Sequence, residues 1–254
     1  MGFDGMTKGL NKSQLQIIAI IAMVMDHTAL FLFPHMRLYY TFHIFGRMTI
    51  VIMSYFIAEG YYKTRNVNKY IIRMGIFAAA AQIPFYLYEK TGEFEGVLHF
   101  FAGNFYSRNV IFTLFIGLCL LTIIKSELHW ILKVLAAFAV WVVTRHSDWG
   151  IYCLLWVIGF GIFHGRRGLQ MCSAAAIVLF RVFVKLKPLV IILFSGGAVT
   201  YYSITMAFVQ LGGLLAIIPL MLYNGERGNA PRLGFYIFYP AHLLVLAVII
   251  RFLQ

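Results

Sequence analysis

An all-α, polytopic membrane helical bundle of about nine to ten transmembrane helices, with no soluble domain, is the fold this sequence predicts. Three observations point to it. The 254 residues are 61% hydrophobic, with a mean hydropathy of +0.83. Only 12% are charged, where a soluble domain carries about 25%. Apolar runs recur along the whole chain, divided by short polar connections.

The first run, Leu15–Phe33, is long enough to cross a hydrocarbon core of about 30 Å at about 1.5 Å of rise per residue. Others follow at Ile44–Tyr61, Tyr70–Tyr88, Asn109–Ile124, Leu128–Val143, Trp149–Phe163 and Gln170–Val184. Several have only 15 to 16 residues; they need local bilayer thinning or burial among neighbours. Leu189–Tyr223 is too long for one helix. Ser195-Gly196-Gly197 breaks it, giving a broken or re-entrant piece and then a full span. Leu233–Leu253 is the last span. The sum is nine spans with the C-terminus outside, or ten with it inside if Leu189–Thr200 crosses fully. Residues 1–254 read as one integral membrane domain, without linker or internal repeat.

Charge sets the orientation. There are 21 Lys and Arg against 9 Asp and Glu, a net charge of +12. No basic helix or stripe stands outside the apolar runs, so nucleic acid is not the expected partner. Lys8 and Lys12 precede the first span, Lys63, Arg65, Lys69 and Arg73 follow the second, and Arg166 and Arg167 follow the sixth. Basic residues gather in cytoplasmic loops, which predicts a cytoplasmic N-terminus. Glu89, Glu93 and Glu95 mark an external connection, and Arg227 and Arg232 an internal one. The first run lacks a small-residue cleavage site and is expected to remain as a signal-anchor helix. Cys119, Cys153 and Cys172 fall inside spans at spacings that fit neither zinc nor a redox pair.

The most informative residues are those that do not belong in lipid. Asp26-His27 lies in the middle of the first run, about 17 Å of helix axis beyond Leu15. Ionisable groups at that depth are costly and mark a functional site by default. A carboxylate stabilises a protonated imidazole, although neighbours on a helix point about 100° apart. Asp26 is also matched by Arg47 in the second span, a pairing that neutralises both and leaves His27 as a base. Glu59 sits near the end of that span. Gln82, Asn109, Thr113, Asp148 and His242 complete the set. For Gln82, Asn109 and Thr113 an interhelical hydrogen bond competes with a catalytic role; for Asp148 the competitor is a helix cap. His35 and His43 fall in an external loop around Tyr39-Tyr40, with no carboxylate nearby to support metal binding. Lys63, Arg65 and Lys69 hold orientation, or hold the phosphates of a nucleotide carrier. HExxH, Walker A, GxSxG and GxGxxG contexts are all missing.

Several motifs resemble the TraX family. They are Leu15 to Met25 with Asp26-His27, Phe45-Gly46-Arg47, Ile57-Ala58-Glu59-Gly60-Tyr61, Thr64-Arg65-Asn66 and Lys69-Tyr70. Further along come Gln82-Ile83-Pro84-Phe85, Asn109 to Thr113, Asp148-Trp149-Gly150-Ile151-Tyr152 and Phe238-Tyr239-Pro240-Ala241-His242-Leu243. The match runs in order over nearly the whole chain, and is thinnest between Lys185 and Phe238. The resemblance implies an inner-membrane acyltransferase, related to wider membrane acyltransferases that take acetyl from cytosolic acetyl-CoA. The family's namesake acetylates the N-terminal amine of a pilin.

The resemblance then implies roles. His27 is the intramembrane histidine, either general base or nucleophile, and Asp26 holds its tautomer. Arg47 or Asn109 stabilises the oxyanion, and His242 is a second proton shuttle. Glu59, Lys63, Arg65, Lys69, Arg166 and Arg167 surround acetyl-CoA. Asp148 and Tyr239 face the acceptor, which is a peptide, glycan or lipid group. No metal is expected, and membrane lipids are the surrounding partner. The rival function is a proton-coupled transporter or lipid flippase, since buried ionisable sets also relay protons and broken helices occur in transporters.

Overall fold

The computed structural model describes residues 9–33, 36–89, 108–229 and 234–253, and every regular element in them is a helix. In chain order these are α1 Lys12–Leu32, α2 Arg37–Gly46, α3 Met48–Lys63, α4 Val67–Glu89, α5 Val110–Lys125, α6 Trp130–Thr144, α7 Gly150–Ile162 and α8 Arg167–Phe194. They are followed by α9 Tyr201–Val209, the 3-10 helix η1 Gln210–Ala216, α10 Ile217–Met221 and α11 Gly234–Leu253.

Four stretches are long and apolar enough to cross a membrane: Arg37–Lys63, Val67–Glu89, Tyr201–Met221 and Gly234–Phe252. The apolar helices α5, α6 and α7 are shorter. α1 has 21 residues, about 31 Å of axis at about 1.5 Å per residue. Large apolar side chains face outward, with Trp130 66% and Phe138 61% exposed on α6 and Phe183 61% exposed on α8. Such faces are stable against lipid rather than water. The chain is an integral membrane protein.

Two boundaries differ from the sequence expectation. The second span begins at Arg37, not Ile44, so the anticipated loop around Tyr39-Tyr40 is the first part of a helix. The polar residues Arg37, Tyr39, Tyr40, Thr41 and His43 disguised it. Further on, the expected division between Val184 and Leu189 is not there: α8 runs on through Pro188 to Phe194. Pro188 forfeits one helical hydrogen bond but does not end the helix. The break at Ser195-Gly196-Gly197 is where the sequence put it, yet it parts α8 from α9, and Leu189–Phe194 belongs to α8. Lys8, His35, Glu93, Glu95, His99 and Arg232 lie outside the described residues.

The chain groups into two compact units, one from Met1–Met53 with Arg166–Arg232, the other from Ser54–Gly165 with Leu233–Gln254. In the first, a capping box starts α1: Asn11 Oδ1 accepts from Gln14 N at 3.0 Å, and Gln14 Oε1 accepts from Asn11 N at 2.9 Å. The next two amides, Lys12 N and Ser13 N, donate to Glu226 and Arg227 carbonyls at 2.9 and 3.1 Å. Helix N-termini always leave such donors over, and the 222–228 segment takes them up. α1 packs mainly on α2, and Thr49 Oγ1 at the start of α3 donates to Ala19 O at 3.0 Å. The 3-10 helix η1 lies against both α2 and α8. Seven residues is long for that geometry.

The second unit is a helical layer in which α4 packs on α11 and α5, and α5 on α7 and α6. Its core holds Met74, Ile111, Leu118, Leu121, Trp156 and Phe160, all fully buried. Tyr236 of α11 stacks on Phe77 of α4 with centroids 5.0 Å apart.

Candidate active site

α1 carries Asp26 near its middle, and α2 presents His43 one turn before Arg47, four residues on. That spacing puts His43 and Arg47 on one helical face, and the face meets Asp26. His43 Nδ1 lies 2.6 Å from Asp26 Oδ1. Arg47 Nη2 is 3.9 Å from the same oxygen and 3.4 Å from His43 Nδ1. All three side chains are largely buried, at 18%, 11% and 14% exposed for Asp26, His43 and Arg47. Of the two contacts at Nδ1 the carboxylate's is far shorter, so Nδ1 carries the proton and donates it to Asp26. The other ring nitrogen, His43 Nε2, is buried and has no hydrogen-bond partner among the described residues.

Two features seat this pair. Gly46 faces Asp26 so closely that a Cβ there would overlap the carboxylate. Gly212 of η1 meets the Ile44 carbonyl in the same way, which brings η1 against the turn that bears His43. The Tyr39 ring, one turn earlier, packs edge-on against His43 at 4.3 Å between centroids, and Tyr202 of α9 hydrogen-bonds the Tyr39 hydroxyl.

His27 is half-buried on α1, and the charges of Asp26, Arg47 and His43 all act on it. It therefore lies close to the Asp26–His43 pair. What the sequence misses is that the imidazole held by Asp26 is His43. The available clue is the four-residue spacing of His43 and Arg47, which a loop around Tyr39-Tyr40 conceals.

The remaining residues sort by what they touch. Asn109 is the N-cap of α5, its oxygen accepting from Phe112 N at 3.0 Å. Its amide nitrogen donates to Ala78 O at 2.8 Å and Gln82 Oε1 at 2.7 Å. Both amide hydrogens are thus engaged in bonds between α4 and α5, the interhelical alternative to the expected oxyanion role. Thr113 Oγ1 donates to Asp148 O at 2.8 Å, and Asp148 N to Arg108 O at 2.8 Å. Asp148 does not cap α7. That place falls to Trp149, held at φ 62° without a side-chain cap, a strained position for a bulky residue. Tyr239 is buried, its hydroxyl faces the Val110 backbone, and the charge of Asp148 acts on it. His242 Nδ1 faces Phe238 O at 3.1 Å, and its ring stacks on Phe238 at 5.2 Å.

Glu59 is buried, with Oε1 2.7 Å from Lys63 Nζ and Oε2 3.4 Å from His164 Nε2. His164 in turn stacks on Tyr62 at 3.8 Å, and Tyr62 OH donates to Gly161 O at 2.6 Å. Arg65 and Lys69 are exposed. Arg166 opens α8, and Arg167 donates to the carbonyls of Met221 and Tyr223 at 3.3 and 2.7 Å, capping the end of α10.

A family profile described as "TraX protein" matches residues 11–250. A curated relative, the probable fimbrial assembly protein FimC, serogroup H1, of Dichelobacter nodosus, is 31% identical over 255 residues, covering 95% of this chain and 96% of the relative. No solved structure matches the chain.

Proposed function

The chain belongs to the TraX family, and on that premise we propose that it is a membrane acyltransferase, moving an acetyl group from acetyl-CoA to an amine or hydroxyl acceptor. One observation carries this: a carboxylate, a guanidinium and two imidazoles gathered on apolar helices, with His43 Nδ1 2.6 Å from Asp26. Burying such groups is costly, and a carboxylate-held imidazole is the arrangement that moves protons in acyl transfer. Arg47 stands beside it to balance charge as the tetrahedral oxyanion forms.

The relative is named for fimbrial assembly, which favours the terminal amine of a pilus subunit as acceptor over a glycan or lipid hydroxyl. The donor's phosphates fall to the exposed cations Lys63, Arg65 and Lys69, with Glu59 orienting Lys63. Arg167 is excluded from that set because its guanidinium already serves two carbonyls. Tyr239 and Asp148 remain acceptor-side candidates. We place the protein in a bacterial inner membrane with a cytoplasmic N-terminus, and the nine-crossing arrangement fits α8 as one helix.

Proton-coupled transport is the weaker alternative. A buried ionisable set that relays protons supports it, but the break at Ser195-Gly196-Gly197 lies between two helices rather than within one. The test is purified protein in nanodiscs with radiolabelled acetyl-CoA and a peptide amine. We expect transfer and its loss in Asp26→Asn by about 10²–10⁴-fold. Wild-type protein that consumes no acetyl-CoA, yet moves solute with a proton gradient, overturns the assignment.

A further inference from the structure

We propose that His43, rather than His27, is the general base of this site, acting through Nε2. This rests on the acyl-transfer function proposed above and names the group that performs it. His27 follows Asp26 directly and so projects about 100° around α1. The carboxylate's 2.6 Å contact goes instead to His43 on the next helix. That contact fixes the proton on Nδ1 and leaves the lone pair on Nε2, a buried nitrogen with no hydrogen-bond partner among the described residues. Buried polar atoms are nearly always satisfied, and an exception beside a carboxylate and a guanidinium is a site kept open for a proton.

The ring cannot easily turn away. Tyr39 packs edge-on against it, Gly46 lets Asp26 approach its helix, and Gly212 lets η1 bear on the following residue, Ile44. Arg47, 3.9 Å from the carboxylate, offsets the Asp26 charge on the Nδ1 side. The reaction then balances as follows. The acceptor nitrogen or oxygen attacks the thioester carbonyl and gives its proton to His43 Nε2. The tetrahedral intermediate expels the thiolate, the carbon–sulfur bond breaks, and the thiolate takes the proton back from Nε2. The products are the acetylated acceptor and free CoA thiol.

The experiment uses the full chain in nanodiscs, comparing His43→Gln and His27→Gln in acetyl transfer to a peptide amine. We expect His43→Gln to lose about 10²–10⁴-fold in kcat with little change in KM for acetyl-CoA, and His27→Gln to lose at least about tenfold less than that. A second measurement needs no variant of His43. Nitrogen-15 NMR of the histidine-labelled wild type should show His43 in the Nδ1–H tautomer, and Asp26→Asn should lose that preference. Active wild type with His43→Gln at full rate, or with the loss in His27→Gln instead, overturns the assignment while the acyl-transfer function stands. A His43 ring with its proton on Nε2 in the wild type overturns it too. Wild type inactive with every acceptor sinks the function itself, and the tautomer then decides the histidine separately.

Discussion

Asp26 fills the volume into which a side chain at Gly46 would grow. α2 thereby lies close enough for His43, one turn away, to reach the same carboxylate at 2.6 Å. A helical glycine normally costs up to about 1 kcal/mol against alanine, so in an unconstrained helix Gly46→Ala stabilises. Here the added methyl displaces the carboxylate. The expected result is the opposite sign, a destabilisation of about 1–3 kcal/mol, together with at least a tenfold loss of acetyl transfer. Thermal melting in detergent beside the transfer assay checks both, and a raised melting temperature would contradict the geometry.

Gly212 and Gly213 are adjacent but answer to different neighbours. A Cβ at Gly212 would overlap the Ile44 backbone carbonyl, whereas one at Gly213 would meet the Val178 side chain. Both alanine variants should lower stability. Val178→Ala should restore Gly213→Ala, because a trimmed side chain makes room, and should leave Gly212→Ala unrepaired. Comparing the double variants by thermal melting separates the two. Equal rescue would mean that η1 does not bear on α2.

Asn109 should behave as a structural residue. Asn109→Ala removes a cap, about 1 kcal/mol, and the two side-chain bonds to Gln82 Oε1 and Ala78 O, each about 1 kcal/mol, leaving Gln82 Oε1 with the Asn109 backbone amide at 3.2 Å. We expect a stability loss of roughly 2–3 kcal/mol with kcat per folded molecule unchanged within a few-fold. Active-site titration against turnover gives the answer; a kcat falling a hundredfold at intact stability would return Asn109 to the oxyanion role.

Glu59→Gln leaves Lys63 and His164 without their shared acid. Lys63 is 53% exposed, so water screens much of the loss, and about 1 kcal/mol is expected rather than the figure for a buried pair. The sharper expectation is a raised KM for acetyl-CoA, because a released Lys63 no longer holds its place. Measured KM values for wild type and variant, at matched ionic strength, provide the check.

Much of this was legible in the primary structure. Long apolar runs with few charges dictate helices in lipid, since only internally bonded backbone is stable there, and the spans at Tyr70–Tyr88 and Leu233–Leu253 nearly coincide with α4 and α11. Asp26, His27 and Arg47 stood out for the cost of burying them. Asn109 and Gln82 were readable as hydrogen-bonding residues, and the break after Phe194 as a break. The start of α2 was not, because a polar opening turn looks like a loop when its partner is unknown.

Sequence alone determined that ionisable groups lie on the apolar helices of a membrane protein and, through order and motif, which family it joins. Only the tertiary structure decided which imidazole Asp26 holds. Helical periodicity orients a side chain about its own axis but says nothing of which helix stands opposite, and that depended on two backbones approaching at Gly46 and Gly212, where the missing side chains leave room.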